Sequence, residues 1–463
     1  MGEKIMEKFN YKVVSENYKE DALKALRGLV QINSVHDEKT VSPEKPFGNG
    51  VSNALTYVAN LGKENGFNVD TCDGYATEIS FGEGNVDIGI FAHTDVVPVT
   101  GNWTHEPFGA EVDDKYIYGR GVADDKGAVI ASFYAMKLLK DYDLIKDFKV
   151  RLVVGGNEER GSECMRHYFE VLKKPAPTFG FTPDGEFPLI YGEKGITNFE
   201  AKRHFDLSPI LDAKGGEASN SVIDRFEVTL PNDHRFLKYL DDENIKYEKV
   251  VVGTVLKVTF LGKSAHGSEP KLGINAGLLG LKAIANFYKN DNLLELVNFY
   301  MDQDGTALGI YQKSEMLGDT TLNIGLMSYK NQILSMTVNF RYPETLDPKK
   351  AINHIKMKTR QEITILSEAK VLYFDPNSDM IQTLLKVYQD ETGDLESKPL
   401  AIGGGTYAKE CPNTVAFGCA FKGRPGNIHA PDEYLLLDDF YMQIVIYAHA
   451  IIALARLGNK NAD

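Results

Sequence analysis

Apolar positions in the first 190 residues switch repeatedly between helical and strand-like spacing. Residues 15–32 (SENYKEDALKALRGLVQI) place Ala22, Leu23, Leu26, Leu29 and Val30 on one helical face behind an acidic first turn. Residues 51–65 repeat the helical pattern, and residues 68–80 read as a short strand and turn. An apolar run at 86–91 has the character of a strand buried on both faces, as in a parallel sheet. Helical spacing over 127–141, a strand over 148–154, a helix over 165–172 and a strand over 178–182 follow in turn. Such alternation predicts an α/β layered domain.

From Gly195 to about Phe374 the strands alternate apolar and polar: ITNFEAKRHF, DRFEVTLP, LKVTFLG and MTVNFRYP. Helical segments at 276–288 and 349–360 lie among them, a pattern expected of an α+β unit with an antiparallel sheet. After Asp375-Pro376-Asn377 the first texture returns with a helix over 379–391, a glycine-rich turn (AIGGGTYAK) and a strand (TVAFG). A loop (CAFKGRPGNIHAPDE) and a final pair of helical turns close the chain. The predicted fold class is therefore α/β with a mixed, mainly parallel sheet flanked by helices. That domain would span residues 1–192 and 376–463, interrupted by an inserted α+β domain at 193–375.

Length and composition fit this picture, since 463 residues allow two or three domains. A net charge of −14 argues against nucleic acid or an acidic membrane surface as a partner. Cys72, Cys164, Cys411 and Cys419 form no CxxC pair and are too sparse for a disulfide scaffold, so they read as thiols in a reducing compartment. The first fourteen residues contain no apolar signal-like core. The apolar run at 444–457 is short for a membrane span and contains His449, which predicts a buried helix. A cytoplasmic location is expected.

Chemistry gathers at the predicted strand ends. His93 and Asp95 stand two residues apart where the 86–91 run breaks, and so point to the same side. Asp124 and Asp125 precede the 127–141 helix, Glu158 and Glu159 follow the 148–154 strand, and Asp184 follows the 178–182 strand. In open α/β sheets the ligand crevice lies beyond the carboxyl ends of the strands. Each motif alone has an ordinary reading: a hydrogen-bonded pair, helix caps, a solvated acidic turn, a turn aspartate. Their joint placement, with His429 returning from the C-terminal segment, suits two divalent ions sharing one carboxylate. Adjacent glutamates on extended backbone face different ways, so one can bind metal while the other serves as a base.

The motifs HTDVVP, YGRGVADDKG, GNEERGS, PDGEFPLIYGEKG, GKSAHGSEP, NFRYP, GGGTYAK and the C-terminal His loop occur in this order over nearly the whole chain. Together they resemble the co-catalytic metallopeptidase family of carboxypeptidase G, aminoacylase, succinyl-diaminopimelate desuccinylase and carnosinase. Within it the chain is most similar to the peptidase V-type dipeptidases. The resemblance implies that Asp124 bridges two ions, one also held by His93 and Asp184, the other by Glu159 and His429. Zinc is the first choice, with manganese and cobalt suited to the same donors. Glu158 would be the general base and Asp95 would orient His93; Asp125 is the competing ligand to Asp124. In the insert, the resemblance implies a lid on which His266 stabilises the oxyanion and Arg341 holds the substrate carboxylate. Asn220 and the loop Gly403, Gly404, Gly405 and Thr406 would contact substrate. The resemblance implies that an insert this large substitutes for a partner subunit, hence a monomer and dipeptides; an N-acyl-amino-acid amidohydrolase with the same metal site is the alternative. A binding protein that has lost catalysis is disfavoured by the intact Glu158 and candidate ligands.

Overall fold

The computed structural model describes residues 9–424 and 426–462, so the first eight residues of the N-terminal segment lie outside it. The chain divides into two compact units. The first comprises the described residues of Met1–Tyr191, Phe374–Ala401 and Gly405–Asp463; the second comprises Gly192–Tyr373 with Ile402–Gly404.

The first unit is built on strands β1 (Asn68–Asp70), β2 (Ala76–Gly82), β3 (Val86–His93), β4 (Phe148–Gly155), β5 (Phe179–Thr182), β6 (Ile190–Glu193) and β7 (Thr414–Ala416). They run across the sheet in the order β1-β2-β4-β3-β5-β7-β6. The four central strands β4, β3, β5 and β7 are parallel. β1, β2 and β6 join antiparallel at the sides. All but one residue of β3, and all but one of β4, are buried, which explains their mainly apolar sequences; of the charged exceptions Asp87, Lys149 and Arg151, the first and last pair with each other. Their cover comes from helices α1 (Lys19–Val30), α2 (Asn49–Glu64), α3 (Lys126–Asp141), α4 (Asp379–Thr392) and α5 (Leu437–Ala462). α3 and α5 pack on β3 and on each other, and α2 packs on β1, β2 and β4.

Two helical readings change in the structure. The apolar run at 444–457 and the final helical turns are parts of a single 26-residue helix, α5. It is long and apolar enough to cross a membrane, yet 67% of its most apolar window is buried against the protein, and it packs along α3 and α4. The helix expected over 165–172 is a short α-turn, Glu163–Arg166, continued by a π-helix at His167–Val171.

The second unit carries an eight-stranded sheet in the order Tyr247–Val252, Val255–Leu261, Arg225–Pro231, Asp212–Gly215, Thr321–Lys330, Ile333–Tyr342, Gly195–His204, Glu362–Ala369. Every pairing is antiparallel. Burial alternates residue by residue along Arg225–Pro231 because only one face of that strand is packed. Phe226, Val228, Phe260 and Val338 form a core there with Leu281 and Ile284 of Ala276–Phe287. The inserted α+β domain is thus separate from the parallel sheet and has its own hydrophobic core.

Candidate metal centre

Parallel strands place their carboxyl ends side by side, and three of them deliver the candidate groups. β3 ends at His93, β4 at Gly155 just before Glu158 and Glu159, and β5 at Thr182 two residues before Asp184. Two clusters of metal-ligating type result: His93, Glu158 and Asp184, and Asp124, Glu159 and His429. Within each, the ligand atoms lie within 4.8 Å of one another.

Asp124 connects them. Its Oδ1 lies 3.1 Å from His93 Nε2, and its Oδ2 lies 3.0 Å from His429 Nε2. The same His429 nitrogen is 3.0 Å from Glu159 Oε1, and His93 Nε2 is 3.9 Å from Asp184 Oδ2. Donors around a tetrahedral ion with bonds of about 2.1 Å stand roughly 3.4 Å apart, so these spacings suit one ion on each side of the Asp124 carboxylate.

His93 is fully buried, and its Nδ1 sits 3.0 Å from the Asp95 carbonyl and 3.4 Å from the Asp95 carboxylate. A partner behind the ring leaves Nε2 facing the cluster. The Asp95 carboxylate also accepts hydrogen bonds from the main-chain N–H of Glu158 (3.0 Å) and Glu159 (3.1 Å). One buried side chain therefore positions three of the candidate groups. Asp125 points elsewhere: its Oδ2 accepts from the His93 N–H at 3.2 Å, and it belongs to neither cluster. Tyr407, in the GGGTYAK segment and not singled out by its sequence context, packs edge-on to His93 with ring centroids 5.9 Å apart. Its hydroxyl lies 3.0 Å from Cys164 Sγ.

Crowding of buried carboxylates dominates the electrostatics. Burial, reinforced by the charge of Asp184, pushes the Glu158 carboxyl well above its ordinary value of 4.5. Burial also holds the Asp125 carboxyl well above its ordinary range. Burial works to raise the Asp124 carboxyl too, but bonds from His429 and His93 overrule it and hold it low. Bonds to Asp124 and Glu159 raise the His429 imidazole to about 10. For His93, burial alone would lower the value, yet Asp124 and Asp95 drive it well up. Without cations, the cluster must keep protons to offset its negative charge. Divalent ions would remove that need, and imidazole with carboxylate is a donor set they accept.

The remaining predicted residues belong to the insert or its border. Arg341 is buried; its Nε donates to Asn339 Oδ1 at 2.8 Å and its Nη1 to the Gly403 carbonyl. These partners are neutral, and burial lowers the guanidinium to about 10. Exposed His266 bonds through Nδ1 to Ser268 Oγ at 2.6 Å, and partial desolvation of its ring together with the charge of Arg341 lowers its imidazole. Asn220 is also exposed, and its carbonyl accepts from the Gly267 N–H at 2.7 Å, beside His266. A Cβ on Gly403 would stand 3.0 Å from Ser268 Cβ. The insert thus gathers His266, Asn220, Arg341 and Gly403. Gly404 lies in the same unit, whereas Gly405 and Thr406 belong to the first, where Thr406 Oγ1 accepts from the Ala408 N–H.

Comparison with known proteins gives a consistent result. Residues 89–453 match the model of peptidase family M20/M25/M40. A Bacillus subtilis (strain 168) protein named "Putative dipeptidase YtjP" is 35% identical over 465 residues, covering 96% of this chain and all of that one. Among solved structures, human carnosine dipeptidase 1 superposes with a TM-score of 0.57 at 13% identity, over 96% of this chain and 98% of the other. The Bacillus subtilis YXEP protein, described as a dinuclear metal binding peptidase from the M20 family, gives 0.50 at 11% identity, over 96% and 99%. At these identities the two structures show a shared fold.

Proposed function

The chain belongs to peptidase family M20/M25/M40, and we propose that it hydrolyses dipeptides with two divalent ions and Glu158 as general base. The observation that carries this reading is the Asp124 carboxylate, which meets His93 through one oxygen and His429 through the other. We assign His93, Asp124 and Asp184 to one ion, and Asp124, Glu159 and His429 to its neighbour, with zinc as first choice. Bound there, the ions would supply Lewis acidity towards the peptide carbonyl and towards water.

The residues have separate tasks. Asp95 fixes the His93 ring and anchors the main chain of Glu158 and Glu159. Glu158, with a proton affinity raised by burial and by Asp184, takes a proton from the attacking water and passes it to the leaving amine. Arg341 is assigned to the substrate carboxylate, because a buried guanidinium with neutral partners gains most from an incoming anion. His266 is assigned to the developing oxyanion, and Asn220 with the Gly403–Thr406 amides to orienting the substrate. The insert then serves as a lid in cis, with a monomer as the working unit. The name of the Bacillus subtilis relative supports dipeptides as the substrate class.

A substrate panel tests the assignment. Metal-stripped protein, re-supplied separately with zinc, manganese and cobalt, is offered dipeptides and N-acetyl or N-succinyl amino acids. Metal-dependent cleavage of dipeptides, with little on the acylated compounds, is expected. Turnover of acylated compounds alone would make the protein an N-acyl-amino-acid amidohydrolase with the same centre. Silence on every compound would reject both.

A further inference from the structure

We propose that the buried Arg120–Glu433 pair is a positioning clasp that holds the loops of Asp124 and His429 in register for metal binding; this rests on the two-ion reading above. The Glu433 carboxylate is 1% exposed, and its Oε2 accepts from Arg120 Nη1 at 2.7 Å. Its Oε1 accepts from the N–H groups of Gly121 (3.0 Å), Ala123 (3.0 Å) and Asp124 (3.3 Å). The Glu433 carbonyl accepts from the Gly119 N–H at 2.9 Å. One residue therefore gathers the chain from Gly119 to Asp124, up to the carboxylate assigned to both ions. The same residue lies four positions after His429.

Neighbouring contacts extend the clasp. Asp432 Oδ1 accepts from the N–H groups of Thr104 (2.7 Å) and His105 (3.1 Å). The Trp103 ring lies 5.1 Å from the Arg120 guanidinium, a cation–π distance. Gly121 has a φ of +86°, and a Cβ there would meet Val96 Cγ1 at 2.6 Å, so only glycine presents this N–H to Glu433. On the other loop, Asn427, His429 and Asp432 all have positive φ, a turn conformation that Asn, Asp and His adopt more readily than other non-glycine residues.

Neither Arg120 nor Glu433 belongs to a ligand cluster. A buried ion pair contributes little net stability after desolvation, so stability is a weak reason to place one here. Its geometry instead fixes where Asp124 and His429 stand. Partners behind metal ligands typically change metal affinity 10–100-fold when removed.

The test is Glu433→Gln in the full chain, titrated calorimetrically with zinc chloride after metal stripping. Emission from Trp103, the sole tryptophan, is followed in parallel. The variant is expected to fold and to bind at least one zinc about 10–100-fold more weakly than wild type. Its kcat on a dipeptide should fall at limiting zinc and recover with excess, while KM stays unchanged. A purely structural role would lower the melting temperature and leave the zinc affinity of the folded protein unaltered; that result overturns the proposal. Should the variant not fold, Arg120→Lys, which keeps a cation beside Glu433, is titrated in the same way. Zinc binding weakened about tenfold or more in the folded protein supports the clasp, and unaltered zinc affinity overturns it. Wild type that binds no zinc would instead overturn the two-ion reading itself.

Discussion

Replacing Glu158 by glutamine removes a carboxylate while leaving its backbone in place. The Glu158 N–H is held by Asp95 at 3.0 Å, and that bond does not involve the altered side chain. Glutamine has nearly the same shape but cannot take a proton from water at neutral pH. General-base catalysis typically contributes 10²–10⁴-fold, which at about 1.4 kcal/mol per tenfold is roughly 3–5 kcal/mol of barrier. Glu158→Gln should therefore lower kcat on a dipeptide by about 10²–10⁴, with KM within a few-fold of wild type. The metal-free protein should not lose stability, because glutamine mimics the protonated carboxyl that burial and Asp184 favour there. Steady-state kinetics at saturating zinc, combined with elemental analysis, form the assay. Glu158 also lies within one candidate ligand cluster with His93 and Asp184. Loss of one zinc in step with activity would make Glu158 a ligand and refute the base assignment; wild-type kcat would refute it outright.

The other expectations concern the ligands, their protons and the substrate carboxylate. Asp124→Asn should abolish binding of both ions, whereas Asp125→Asn, which mimics a carboxyl kept protonated by burial, should keep both; equal losses measured by calorimetry would reject Asp124 as the shared ligand. His429 has a folded value raised from 6.5 to about 10, so its stabilisation of the metal-free protein is full below pH 6.5 and is lost as pH rises through about 10. In that window a metal must displace its proton: apparent affinity should rise about tenfold per pH unit for each proton released, and calorimetry in buffers of different ionisation heat should count at least one. No proton release at pH 7.5 would contradict the assignment. Arg341→Lys should lower kcat/KM by about 10–150-fold, the equivalent of one charge-assisted bond of about 1.5–3 kcal/mol, on free dipeptides but not on C-terminal amides. An equal loss on both would remove Arg341 from carboxylate binding.

Much of the architecture was legible because burial writes itself into periodicity. β3 and β4 are buried on both faces and read as mainly apolar stretches, whereas Arg225–Pro231 is packed on one face and reads as alternation. Tyr247–Val252 escaped notice, since every residue after the partly buried Tyr247 is exposed and no burial pattern exists to read. The short strand Asp212–Gly215 has too few side chains for a period. At the site, motifs at strand ends marked His93, Glu158, Glu159 and Asp184, but strand-end logic cannot separate adjacent Asp124 and Asp125. Their different partners, two imidazoles for one and a main-chain N–H for the other, are set by tertiary contacts. Glu433 stayed hidden for the same reason: its bond to Arg120 spans 313 positions, and in sequence it is one acid in a polar loop.

The central claim is that activity depends on two ions assembled around Asp124. It is tested most directly by titrating metal-stripped protein with zinc while recording dipeptide hydrolysis and bound metal in the same samples. Activity should be near zero without metal and rise to a plateau at two zinc ions per chain. Full activity in chelator-treated, metal-free protein, or a plateau with no zinc bound, would contradict it.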